Sequence, residues 1–155
     1  MWASINIVSL PISMENDKFY IDKMKRHGIR PTPMRVLILK EMHRGDVTVS
    51  LPDMEHFLPS VDKSTISRTI NTFLDHHLLH VVDDGSGALK YAVCSDCCDC
   101  YNGGGHVHFY CEHCKRTFCL KGINIPNVCL PCGFTIDGVN FVIKGVCPEC
   151  NEKIK

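Results

Sequence analysis

A chain of 155 residues with no net formal charge can bury one ordinary core or two small ones, and a small core usually needs a staple. The balanced charge argues against a generally polyanion-coated protein. No stretch reaches the roughly 18 to 20 apolar residues of a membrane span, and segment 1–13 lacks the basic start and small-residue cleavage site of a signal peptide. A cytoplasmic location is therefore expected, where thiols stay reduced. The cysteines divide the chain: all eleven fall between Cys94 and Cys150. This composition suggests an N-terminal extension at 1–16, a cysteine-free domain at 17–93 and a cysteine-rich domain at 94–155.

Residues 17–27 carry Phe19, Ile21 and Met24 at helical spacing, with Gly28 as a stop. Thr32 is an N-cap followed by Pro33, opening a helix with Met34, Leu37, Ile38 and Met42 on a repeating face. Ser50 starts a short helix that ends by Pro59. Over residues 23–44, Lys23, Lys25, Arg26, Arg30, Arg35, Lys40 and Arg44 stand against a single acid, Glu41, a basic stripe able to face phosphate or simply water.

A fourth helix opens at Asp62 or Lys63. Ile66, Thr69, Ile70, Phe73 and Leu74 fall on one side, with Ser64, Arg68, Asn71, Thr72 and Asp75 opposite. Arg and Asn are the side chains that pair bidentately with guanine and adenine. The next run, LLHVVDDGSGALKYAV, reads as a β-hairpin around the turn-forming DDGSG. Helices followed by a hairpin in this order describe a winged helix-turn-helix, with the fourth helix in the major groove.

Beyond residue 93 a Cys- and Gly-rich loop leads into short β-like runs HVHFYC, RTFCL, GFTIDG and NFVIKGVC, which suggest a small antiparallel sheet and no helix. Cys111-Glu112-His113-Cys114 and Cys147-Pro148-Glu149-Cys150 are Cys-x-x-Cys knuckles 32 residues apart. Four thiolates so spaced can converge on one tetrahedral Zn2+, stapling a module too small to hold itself together. A redox dithiol would need an α/β context that is missing. Cys129 and Cys132 form a third pair, open to two readings: small hydrophobes in a sheet, or metal binding and oxidation sensing. No motif supplies a substrate pocket with an acid–base pair, so no enzyme activity is expected.

The run HVHFYCEHCKRTFCL followed by GVCPEC resembles the H-x-H-x-x-C-x-x-C and C-x-x-C signatures of the Fur family of metal-dependent regulators. RPTPMRVLIL is similar to that family's T-x-x-R-x-x-I-L helix and STISRTINTF to its T-V-Y-R-x-L-x-x-F recognition helix, so the likeness spans about residues 18 to 150. The resemblance implies an α+β chain: an N-terminal winged helix-turn-helix domain, then a small zinc-stapled antiparallel β dimerisation domain. It implies a homodimeric repressor on a palindromic double-stranded DNA operator, with metal as co-repressor. DNA contacts would come from Arg35, Ser64, Thr65, Ser67, Arg68 and Asn71; Ser67 stands where the family carries Tyr. The family's helix in the dimerisation domain has no counterpart in KGINIPNVCLPCGF, which is short and Pro-rich.

The positions matching the iron-type sensing site are Thr48, Ala92, His106 with His108, and Cys119, so both acids and one His are gone. Those matching the zinc-sensing branch are His80, Cys94, His106 and Cys119, with His108 competing with His106. That set is soft and suits tetrahedral zinc better than Fe2+ or Mn2+. An iron-, manganese- or peroxide-sensing regulator of the same fold is the alternative, the last using the surplus cysteines.

Overall fold

The computed structural model describes residues 14–94, 106–123, 125–136 and 139–154. Residues 1–13 of the extension and Cys97, Cys98 and Cys100 lie outside them. Helix α1 (Met14–Arg26) ends as its sequence prescribes. Gly28, at φ 70°, lets Gly28 N–H donate to Lys25 O and Ile29 N–H to Met24 O, while Met24 and Ile29 are both buried. That is a Schellman closure with its apolar contact. Helix α2 (Pro33–Met42) is capped by Thr32, whose Oγ1 accepts from Arg35 N–H at 3.3 Å. Strand β1 (Val49–Ser50) runs directly into α3 (Leu51–Phe57), where Ser50 and Asp53 exchange the two bonds of a capping box.

Helix α4 (Lys63–Asp75) buries Ile66, Thr69, Ile70 and Phe73, the face its periodicity marks. These side chains meet Met24, Ile38, Leu39, Met54 and Leu78 in the main core. Strands β2 (Leu79–Val82) and β3 (Lys90–Val93) form the hairpin, and β1 joins on the far side of β3, giving the order β1-β3-β2.

The cysteine-rich half contains β4 (Val107–Cys111), β5 (Thr117–Leu120), β6 (Val142–Gly145) and α5 (Pro148–Ile154). Three expectations need correction. The sheet is mixed, not antiparallel: β4 pairs antiparallel with β5 but parallel with β6, whose first residue, Val142, lies opposite His108 near the start of β4. GFTIDG forms no strand in the part described, 133–136. A helix is also present, α5, whose signals are Pro148 at its first position and Glu149 in its first turn. Gly145 at the end of β6 lies close under the Phe109 ring, where an added Cβ would come within 3.1 Å and the ring would have to shift.

The two halves are docked. Segment 46–48 adds to the edge of β5 through a Val47–Phe118 bridge, with Thr48 N–H donating to Thr117 O at 2.8 Å and Cys119 N–H to Asp46 O at 2.8 Å. Beside it Lys90, at the start of β3, donates to Thr117 Oγ1 at 3.1 Å and Lys115 O at 3.0 Å and pairs with Asp84 at 2.6 Å. Thr117 also donates to Asp84, which is 1% exposed. Burial works against the Asp84 charge, yet the bonds from Lys90, Ser86 and Thr117 outweigh it and hold the carboxyl well below the usual carboxylate range.

Candidate metal centres and helix α4

The parallel register of β4 and β6 sets Cys111 beside Gly145, so the segments leaving both strands emerge at one end of the sheet. Each of them is a knuckle. The sulfurs of Cys111, Cys114, Cys147 and Cys150 consequently lie within 4.8 Å of one another, three of the four buried. Cys114 Sγ and Cys147 Sγ are 3.8 Å apart. A disulfide would need about 2.05 Å, whereas sulfurs held about 2.3 Å from a tetrahedral centre are about 3.8 Å apart.

The knuckle backbone is arranged for thiolates. Cys111 Sγ accepts from Cys114 N–H at 3.5 Å and Cys147 N–H at 3.3 Å, and Lys115 takes φ 62° to complete the turn. Burial raises the Cys111 pKa, but these backbone donors outweigh it and bring it to about 6. Arg116 Nε donates to Cys114 Sγ at 3.4 Å and its other end meets Glu149, tying β5 to α5. Cys150 is pushed the other way, up to about 12, by burial and by the three neighbouring sulfurs. Four thiols packed so closely cannot all ionise alone; a divalent cation would supply the countercharge, and the donor set fits a tetrahedral zinc.

A second group lies at the seam between the halves. His108 lies on β4 with Cys119 as its direct cross-strand partner, and His106 sits just before the strand, two residues earlier. His80 approaches from β2 in the N-terminal half. The ligand atoms of His80, His106, His108 and Cys119 all lie within 4.8 Å of one another. His80 Nε2 and His108 Nε2 face each other at 3.2 Å, close to the roughly 3.3 Å edge of a tetrahedron with 2.0 Å metal–nitrogen bonds. Burial first, then His106 and His80, lower the His108 pKa to about 4, so the imidazole is neutral near pH 7 and its lone pairs are available. The buried Nδ1 of His108 has no hydrogen-bond partner among the described residues. A cavity of about 170 Å3 bordered by His106 and Cys119 lies alongside.

Both candidate histidines therefore join this group, and Cys94 does not. Cys94 is buried against the other ring nitrogen of His80, with its Sγ 3.3 Å from Nδ1. Of the iron-type positions, Thr48 and Ala92 are buried but supply no ligand to the group. Cys129 and Cys132 are exposed and lie in no strand, so the reading of them as small hydrophobes in a sheet is overturned.

On α4, Ser64, Arg68 and Asn71 are exposed and Thr65 and Ser67 half-buried. Arg68 is steadied by its Nε donating to Ser64 O at 3.2 Å. Arg35 is half-buried and bonded to Arg30 O at 2.8 Å. The basic stripe is narrower than its sequence implies: Lys23 is buried, Lys40 pairs with Asp17 at 2.7 Å and Arg44 with Glu41 at 3.1 Å, while Lys25, Arg26 and Arg30 remain exposed. Sequence reasoning missed Asp84, Lys90 and Thr117, whose only local signal was the turn chemistry of DDGSG.

No protein-family model matches the sequence, and neither does any curated protein. Solved structures do match the fold. A zinc uptake regulator complexed with zinc and DNA aligns at TM-score 0.59 and 19% identity, covering 90% of this chain and 95% of that one. The Helicobacter pylori ferric uptake regulator, whose structure is described as having three functional metal-binding sites, aligns at TM-score 0.54 and 14% identity over 88% and 92% of the two chains. A zinc-bound manganese uptake regulator aligns at TM-score 0.56 and 15% identity over 81% and 96%. At these identities the likeness establishes a shared fold. Among the described residues no helix is long and apolar enough to cross a membrane.

Proposed function

We propose that this protein is a metal-responsive transcription repressor of the Fur family, zinc-sensing and cytoplasmic, acting as a homodimer on a palindromic DNA operator. The observation that carries this reading is the placement of the second donor group. His80 belongs to the hairpin that follows α4, whereas His108 and Cys119 lie on β4 and β5 of the other sheet and His106 just before β4, and their donor atoms still converge. Zinc bound there supplies the positive charge that holds three neutral imidazoles and a thiolate together. Three nitrogens, one sulfur and no carboxylate favour it over a hard octahedral ion.

Cys111, Cys114, Cys147 and Cys150 would hold a separate, structural zinc. Filling the seam group favours the docked arrangement of the halves, and with it one orientation of α4. In a two-fold dimer this sets the separation of two α4 helices near the roughly 34 to 36 Å of one DNA turn. Arg68 and Asn71 would read base edges, with Ser64, Thr65, Ser67 and Arg35 holding the phosphate backbone in register.

A 100-fold change in operator affinity needs only about 2.7 kcal/mol of preference for the docked form. The test selects duplexes from a random pool with zinc-saturated protein and then measures their binding by fluorescence anisotropy with the seam group filled and empty. Zinc is expected to tighten binding about 100-fold and Cys119→Ala to abolish the difference. Equal affinity in both states would refute the proposal.

A further inference from the structure

Cys94 follows β3 directly, and its N–H donates to Leu78 O at 3.0 Å, which locks it across the hairpin from the start of β2. It is 5% exposed, and its Sγ lies 3.3 Å from Nδ1 of His80. The opposite nitrogen of the same ring, Nε2, is the one turned toward His108 at 3.2 Å. An imidazole that gives Nε2 to a metal carries its proton on Nδ1, and that N–H needs an acceptor to hold the ring in place. Four donors already converge without Cys94, enough for a tetrahedron.

We infer that Cys94 is a positioning residue and not a metal ligand: its sulfur accepts the Nδ1 proton of His80, fixing the tautomer and orientation that present Nε2 to the seam group. The inference rests on the reading of His80, His106, His108 and Cys119 as a metal site. It assigns that site a single thiolate, Cys119. Of Cys94 and Cys119, the second bonds the metal and the first holds a ring.

Cobalt(II) separates these roles because sulfur-to-cobalt charge-transfer absorption scales with the number of bound thiolates. The full chain, with its two knuckles filled by zinc, receives one equivalent of Co2+. The expected near-ultraviolet band corresponds to one thiolate and disappears in Cys119→Ala. In Cys94→Ala the band per bound cobalt is unchanged while Co2+ affinity falls about 10- to 100-fold, the usual effect of losing a ligand's hydrogen-bond partner. Cys94→Ser, which keeps an acceptor, recovers part of that affinity. A two-thiolate band that halves in both Cys94 variants would overturn the inference while leaving the metal site intact. Failure of the chain to take up Co2+ beyond the knuckles, or a band untouched by Cys119→Ala, would instead remove the metal site itself and this inference with it.

Discussion

The two donor groups use similar chemistry for opposite ends. The four cysteines all come from one half of the chain, at one end of one sheet. The seam group draws His80 from the other half, with its remaining candidate ligands on β4, on β5 and just before β4. An ion in the first closes a loop within a domain and contributes to folding, while an ion in the second contributes to how two folded parts sit against each other. On the proposed reading, a staple and a sensor would differ less in their ligands than in which elements carry them.

The strongest way to break this contrast is to remove the staple. Cys147→Ser, or exhaustive chelation, is expected to melt the β4–β6 sheet, since structural zinc contributes on the order of 10 kcal/mol to modules of this kind. Zinc content and far-ultraviolet circular dichroism would show it, and a C-terminal half that stays folded without metal would reverse the assignment. Next in size is the buried contact that docks the halves without any ion. Asp84→Ala leaves Lys90 without its carboxylate and should destabilise the protein by about 3–5 kcal/mol in urea unfolding.

The same contact has a pH signature. The folded carboxyl titrates below its ordinary value of 3.8, so its stabilisation is fully present above about pH 4 and is lost as the pH falls further. An unfolding midpoint that declines below pH 4 in the wild type, but much less in Asp84→Asn, is the expected outcome.

Cys119→Ala should have its main effect on metal response and only a small one on the stability of the metal-free protein, within about 1 kcal/mol. A large loss of folding there would make the seam group a second staple. The smallest effects belong to α4. Arg68→Ala and Asn71→Ala should each weaken specific DNA binding by about 1–3 kcal/mol and leave zinc stoichiometry unchanged, as measured by anisotropy alongside metal analysis.

Much of this arrangement was legible locally. Thr32 before Pro33, Ser50 three residues before Asp53, and Gly28 after a basic turn each set a helix boundary through bonds made within a few residues. The spacing of Ile66, Ile70 and Phe73 marked the buried face of α4 because helical geometry fixes which side chains share a side. Helix α5 was not legible because its seven residues, PECNEKI, are too few to show a repeating apolar face.

Residue types and short spacings by themselves determined the caps, the pairing of each knuckle within its turn and the donor chemistry available to a metal. Only the tertiary structure decided that β6 runs parallel to β4, bringing the knuckles to one end, and that His108 faces His80 while Cys94 stands behind it. Those contacts join residues 14 to 33 apart. Their geometry follows from strand direction and from the docking of two sheets, which no local periodicity encodes.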